Sequence, residues 1–283
     1  MASQREIRRR IRAVSNIKQI TRAQQFIAAS KLKRAQEQTL AARPYSEKLD
    51  EVLADLAAVL TGEDHPLLAR QRGPGRLVVL ITTDRGFAGS LNANSIRLAL
   101  QEAVQAGGEV RMVTVGRKGR ESIRRARVPL VAHFSGYGDR PTFADITPLA
   151  RLVTDEFLSG AAGQVDIVHS RFVSTLVQRP VVVKVLPVEP TEDTEGIPGH
   201  QFLFEPDPGT VLRNLLPRYV ATRLFQAVLE NKASEESSRM VAMKNATENA
   251  EQLIEDYTLA YNKVRQANIT REMIEIAAGA NAS

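Results

Sequence analysis

Cysteine is absent from all 283 residues, which excludes disulfides, thiolate nucleophiles and sulfur-ligated metals together. Long apolar runs are absent as well. The longest stretches, such as Leu77 to Thr83 and Val181 to Val188, fall far short of the ~20 residues that a bilayer-crossing helix needs. The first residues carry charge where a secretory signal needs an apolar core, and the Arg-rich pattern runs on into a long helical segment, so the N-terminus reads as mature protein. No G-x-x-x-x-G-K-[ST] occurs, no G-x-G-x-x-G follows the first strand-like run, and there is no G-x-S-x-G elbow. The four histidines, His65, His133, His169 and His200, show no metal-site spacing. What is present suits a folded protein, with 43% hydrophobic and 25% charged residues.

The formal charge of +6 is unevenly placed. Arg5, Arg8, Arg9, Arg10, Arg12, Lys18, Arg22, Lys31, Lys33 and Arg34 face only Glu6 within residues 1–34, a net +9 that leaves −3 for the rest. The basicity is therefore assigned to one segment, which implies a local acidic partner rather than a generally adhesive protein. Phe26 and Tyr45 are the only aromatics in the first sixty residues, so base stacking is poorly served there. Charge alone still leaves open a nucleic-acid-binding coiled coil, which predicts duplex binding that falls steeply with salt.

Residues 3–60 hold no glycine and one proline, Pro44, and are rich in good helix formers. This predicts one long helix, with Ser3 and Glu6 at capping-box spacing, a stop at Gly62 and a bend near Ala41 imposed by Pro44. At about 1.5 Å per residue it would span ~87 Å, so it must protrude or pair with something equally long. Met243, Ala246, Ala250, Leu253, Tyr257, Ala260, Val264 and Ala267 keep the 4-3 spacing of a coiled-coil seam. On the N-terminal helix, Ile7, Ile11 and Val14, then Ala28, Leu32 and Ala35, then Leu49, Leu53, Leu56 and Leu60 follow one such track, interrupted by Lys18, Thr21 and Gln25. The expected fold is a long antiparallel coiled coil of N- and C-terminal helices, residues 1–62 and 208–283, plus a central Rossmann-like α/β domain at 76–200.

In that centre, Leu77 to Thr83, Val110 to Val115, Val165 to His169 and Val181 to Val188 are short β-branched runs, with helix-like stretches at Asn94 to Gln105 and Phe143 to Leu158. The alternation predicts a largely parallel sheet. Residues 189–200 read as an acidic loop and Gln201 to Glu205 as an edge strand. The first strand runs into Asp84 to Asn92, a glycine-bearing turn where such sheets bind ligands. An anion site using Arg85, and hence a small α/β enzyme, is one reading; a tight turn feeding a helix is the commoner one. Gly116-Arg117-Lys118-Gly119 has the G-x-x-G form of an RNA-clamping loop but follows a strand, and is read as an ordinary loop.

The segments at 9–36 (RRIRAVSNIKQITRAQQFIAASKLKRAQ) and 238–276 (SRMVAMKNATENAEQLIEDYTLAYNKVRQANITREMIEI), with ITTDRGFAGSLN at 81–92 and FEPDP at 204–208, resemble the γ subunit family of F-type ATP synthase. The resemblance covers essentially the whole chain. It implies a non-catalytic rotor shaft without cofactor or metal, whose paired helices turn inside a ring of α and β subunits while the α/β domain meets the c ring and the ε subunit. Arg239, Arg265, Gln266 and Thr270 match family positions near the β-subunit catch loops. Lys18, Arg22, Gln24, Lys31 and Arg34 are expected to face β as well, and Phe202 and Glu205 to lie where the family contacts the c ring and ε. Gln24 and Phe26 stand where the family usually has methionines, which alters that contact. The uncharged tip, residues 276–283 (IAAGANAS), would cost little to enclose in an apolar sleeve. The redox insertion of the chloroplast form is missing. A bacterial protein on the cytoplasmic face of the plasma membrane is therefore expected.

Overall fold

The computed structural model describes residues 3–59, 65–68, 73, 75–188, 205 and 207–281. The expected stop at Gly62, the loop 189–200, the strand over 201–205 apart from Glu205, and the side chains of Leu56 and Leu60 lie outside the described part. In chain order the elements are α1 (Gln4–Val59), β1 (Arg76–Ile81), α2 (Leu91–Gln105), β2 (Val110–Val115), α3 (Arg117–Ala126), β3 (Leu130–Phe134), α4 (Phe143–Leu158), β4 (Gln164–Phe172), β5 (Gln178–Leu186) and α5 (Pro208–Asn281). The chain divides into two compact units, one of Met1–Ala28 with Arg239–Ser283, the other Ala29–Ser238.

The larger unit holds a five-stranded sheet in the order β3-β2-β1-β4-β5. The first four strands are parallel, and β5 returns antiparallel to β4. Both faces are covered, which is why β1 is buried along almost its whole length instead of alternating. Val78, Leu80, Met112 and Val168 pack with Ala99 of α2 and Ile123 of α3. On the opposite face Leu77, Val79, Ile81, Val113, Val165 and Ile167 meet α4 and parts of α1 and α5. Helix α4 shows why: Ile146, Leu149, Ala150, Val153 and Phe157 recur at helical spacing and are all buried. Its start is fixed by a capping box in which Asp145 N donates to Thr142 Oγ1 and Thr142 N donates to Asp145 Oδ2. Leu212, Leu216, Tyr219, Val220 and Leu224 form the matching stripe on α5.

Helix α3 and strand β3 depart from the sequence reading. The run Gly116 to Gly119 is not a loop: Gly116 caps α3 and Gly119 lies in its first turns. Both glycines are required by the close approach of α3 to the end of β1. A Cβ at Gly116, whose φ is +94°, would lie 2.4 Å from Thr82 O, and one at Gly119 would lie 2.8 Å from Thr82 Oγ1. Thr82 Oγ1 instead accepts the Gly119 N–H at 2.9 Å. Replacing Gly116 with Ala combines positive-φ strain with a backbone clash, and a loss of about 2 kcal/mol or more in urea unfolding is expected.

In the smaller unit the 4-3 pattern is real but shifted by one position on half of the C-terminal track. The least exposed residues of α5 there are Met243, Thr247, Ala250, Ile254, Tyr257, Tyr261, Val264 and Asn268, whereas Leu253, Ala260 and Ala267 face solvent. On α1 the corresponding positions are Gln4, Ile7, Ile11, Val14, Lys18, Thr21, Gln25 and Ala28. The polar interruptions at Lys18 and Thr21 are therefore members of the track with partners of their own. Lys18 Nζ meets Glu251 at 2.9 Å, the Thr21 and Thr247 hydroxyls meet at 2.8 Å, and Gln4 and Arg8 both donate to the Tyr261 hydroxyl, at 2.9 and 2.7 Å. The capping box expected at Ser3 is half formed: Glu6 N reaches Ser3 Oγ, but the Glu6 carboxylate pairs with Arg10 at 2.7 Å. Helix α1 continues through Pro44.

Candidate partner interface

The expected contact residues of the smaller unit divide into inward and outward groups. Lys18 is tied to Glu251, and Gln24 is half-buried. Arg22, Arg265, Gln266 and Thr270 are exposed, and Arg239 is half-buried. Around them lie large apolar side chains that sequence reasoning passed over. Ile17, Ile20 and Ile27 are each more than half exposed and share a face with Gln24, spaced at i, i+3, i+10 and i+7. On α5, Gln266, Ile269, Thr270 and Met273 follow i, i+3, i+4 and i+7, with Ile269 48% and Met273 65% exposed. Ile274 and Ile276 continue the apolar surface toward the chain end. So many uncovered isoleucines on helices mark a surface that another protein covers. The signal was present in the sequence as isoleucines off the seam.

In the larger unit the expected contacts are engaged internally or lie apart. Lys31 Nζ pairs with Asp139 at 2.8 Å, in the loop between β3 and α4, and Lys232 of α5 reaches the same carboxylate at 3.8 Å. Lys232 also meets Glu235 at 3.2 Å and Glu236 at 3.8 Å, both of which are buried. The Lys31 hydrogen bond holds the Asp139 carboxyl below its usual range against the opposing effect of burial. Arg34 is exposed and hydrogen-bonds Ser30. Glu205 is exposed, and Phe202 lies outside the described residues.

A carboxyl whose folded pKa is depressed stabilises the fold fully above its unfolded value of about 3.9, and that contribution is lost as pH falls through the lower folded value. Asp139→Asn should accordingly lower the melting temperature at pH 7 and lose most of that difference from the parent chain near pH 3. An equal difference at both pH values would show that the ion pair contributes nothing.

The edge of the parallel sheet that usually receives a ligand is filled by the chain itself. Asp84 accepts from Arg117 N at 3.0 Å and from Gly136 N at 2.9 Å, and Asn92 clasps Thr83 through its backbone N–H and hydroxyl. Ser238 of α5 donates to Ala88 O at 2.7 Å. Three more α5 side chains hold the far side of the same edge: Asn231 accepts from Ser170 N, Ser234 donates to Ser170 O, and Ser237 donates to Thr175 O. The Asp84 to Asn92 turn is tied to α5 through Ala88, and Asp84 and Asn92 are engaged within the chain, while Arg85 is exposed.

A family model described as ATP synthase matches residues 3–282. The ATP synthase gamma chain of Dehalococcoides mccartyi (strain CBDB1) is 48% identical over 284 residues, covering 100% of this chain and 99% of that one. The chain belongs to the ATP synthase gamma family. The gamma chain of Moorella thermoacetica is 43% identical over 282 residues, again covering 100% of this chain and 99% of that one. In fold, this family member is similar to a chain of the Euglena gracilis mitochondrial ATP synthase, with a TM-score of 0.73 at 20% identity over 99% of this chain and 94% of that one. A chain of the Tetrahymena thermophila central stalk gives 0.63 at 22% identity over 80% and 99%. Within the family frame the internal ion pairs of Lys18 and Lys31 stand apart from the exposed set Arg22, Arg265, Gln266 and Thr270.

Proposed function

We propose that this chain is the central rotor shaft of a bacterial F-type ATP synthase, a non-catalytic subunit that couples proton-driven rotation of the c ring to conformational change in the catalytic β subunits. The observation that carries the reading is the series of side-chain contacts between α1 and α5 in the smaller unit. As the residue number rises from Gln4 to Thr21 on α1, it falls from Tyr261 to Thr247 on α5, which supports an antiparallel coiled coil. Two paired helices resist bending better than one, and a rod that transmits torque needs that stiffness. Family membership supplies the partners: the α and β subunits around the coil, and the c ring and ε around the α/β domain. The uncovered isoleucine faces are suited to an apolar sleeve of α and β subunits.

The working domains are the N-terminal helix of residues 1–62, an α/β foot at 76–200 and the C-terminal helix of 208–283. Arg22, Arg265, Gln266 and Thr270 present polar groups that make and break hydrogen bonds with β as the shaft turns; Gln24, Arg34 and Arg239 are assigned to the same partner, and Lys18 and Lys31 contribute when their internal pairs open. Phe202 and Glu205 are assigned to the c ring and ε. Among the described residues no helix is long and apolar enough to cross a membrane, so attachment runs through the complex, on the cytoplasmic face of the plasma membrane. The cations of α1 are partly committed to Glu6, Glu251 and Asp139, and nothing in the geometry favours a nucleic-acid partner.

The reading is tested by assembling the chain with the α and β subunits of its host and measuring ATP hydrolysis, then proton-coupled turnover after addition of ε and the membrane sector. Coupled turnover that requires this chain supports the shaft, and a complex equally active without it overturns the proposal. Gln266→Ala and Arg265→Ala should each lower coupled turnover about two- to tenfold, the worth of one hydrogen bond at the moving contact, while the melting temperature stays within error because both side chains are exposed.

A further inference from the structure

Outside residues 1–34 the chain sums to −3, yet residues 117–127 alone carry six basic side chains against Glu121, a net +5. The acidic remainder hides this second basic segment in any average over the chain. Helix α3 buries Gly119 and Ile123 against the sheet and leaves Arg117, Arg120, Arg124, Arg125 and the capping Arg127 exposed. Arg117 lies 3.9 Å from Asp84 and Lys118 pairs with Glu121 at 3.1 Å. Among the described residues no ion pair engages Arg120, Arg124, Arg125 or Arg127.

Helix stability does not account for this pattern. Cations favour a helix C-terminus, which covers Arg124 and Arg125, but Arg117 and Lys118 occupy a first turn that has no acidic residue. Arg120 and Arg124 are like charges at i and i+4, a destabilising spacing. The composition points to phosphate: five guanidinium groups to one ammonium, and the guanidinium fork matches phosphate oxygens two at a time. Residues 117–127 contain no aromatic and no large exposed apolar side chain, so the face lacks both a stacking platform for bases and the buried anchor of a protein interface. A flat array of exposed arginines is instead sufficient for a surface whose charge is spread in a plane, where each basic residue strengthens adsorption roughly fivefold.

We propose that the exposed face of α3 binds the phosphate headgroups of an anionic bilayer. The proposal rests on the shaft reading, which brings the chain to a membrane-attached complex.

The test is sedimentation of the full-length chain with vesicles of phosphatidylcholine alone or mixed with phosphatidylglycerol. The triple reversal Arg120→Glu, Arg124→Glu, Arg125→Glu is compared with Arg8→Glu, Arg9→Glu, Arg12→Glu on α1, which changes the charge equally, and a Gln series at the α3 positions removes charge without introducing any. Binding to the mixed vesicles only, weakened by added salt, at least about tenfold weaker in both α3 series and much less affected by the α1 reversal, supports the proposal. Absence of vesicle binding by the parent chain, equal loss in the α1 variant, or α3-dependent binding to duplex DNA tighter than to vesicles overturns it. ATP hydrolysis after assembly with α and β is measured on the same preparations. The α3 variants are expected to assemble normally, and a parent chain that binds lipid but never assembles overturns the shaft reading instead.

Discussion

Truncation of Phe157 to Ala lowers the unfolding free energy of the larger unit by about 3–5 kcal/mol, the range for deleting a buried aromatic ring. Phe157 is wholly inaccessible and among the largest fully buried side chains. It closes the α4 stripe and belongs to the cluster that joins α4 to the sheet and to α5. The cluster to which it belongs is apolar and buried, Leu149, Val153, Val165 and Leu216 among its members, so it offers no polar group to hold a water in the space left. The cost therefore includes a cavity term as well as lost transfer energy. Urea unfolding followed by far-ultraviolet circular dichroism gives the value, and Phe157→Leu should lose distinctly less. A Phe157→Ala loss below about 1 kcal/mol would mean that the core collapses around the gap, contrary to close packing in this layer.

Removal of the Asp166 carboxylate should cost about 3 kcal/mol, the lower end for breaking a buried ion pair. Asp166 is 1% exposed and pairs with Arg76 Nε, while Gln164 Nε2 donates to both of its oxygens at 2.9 Å. Arg76 in turn meets Glu102 at 3.0 Å, so the group ties the start of β1 to β4 and α2. With Asp166→Ala the guanidinium, only a fifth exposed in the native chain, keeps Glu102 as its one carboxylate, which is why the loss is large although one partner survives. Burial alone would make the Arg76 cation less favourable; the two carboxylates reverse that effect, so its pKa lies above the ordinary value. The triple change Arg76→Met, Asp166→Leu and Glu102→Gln is expected to recover most of the stability, because it removes all three charges of the group rather than orphaning one. If the triple variant is no more stable than Asp166→Ala, the loss comes from packing and not from charge.

What could be read directly from the sequence follows a physical pattern. The long helices were visible because the absence of glycine over residues 3–60 leaves no natural interruption, and α4 was visible because Ile146, Leu149, Val153 and Phe157 repeat at helical spacing. Strand β3 was not: Leu130–Phe134 holds a single β-branched residue, Val131, and takes its conformation from pairing with β2. Helix α3 was hidden because Gly116 and Gly119 look like a turn in isolation; their purpose, clearance for Thr82, exists only once α3 rests on β1. The one-position shift on the α5 track has a similar origin. Alanine at 246, 260 and 267 fits a seam or a surface equally well, and partners on α1 decide which residues turn inward: Thr247 for Thr21, Tyr261 for Gln4 and Arg8. Among the expected contacts, Lys18 and Lys31 rest on charge placement, and charge cannot tell an outward-facing cation from one already matched within the chain.

The short hydroxyl and amide side chains of α5 from Asn231 to Ser238 have a mechanical meaning. They grip backbone atoms at Ala88, Ser170 and Thr175, and Lys232 grips Asp139, so the attachments lie on separate segments spaced around one stretch of helix. A smooth apolar helix in a groove can roll, since the dispersion attraction given up on one side is regained on the other. Teeth that engage from several directions prevent rolling: any rotation of α5 about its own axis must break directional bonds. The segment thus acts as a splined hub, and twist arriving along the helix passes into the sheet without slip.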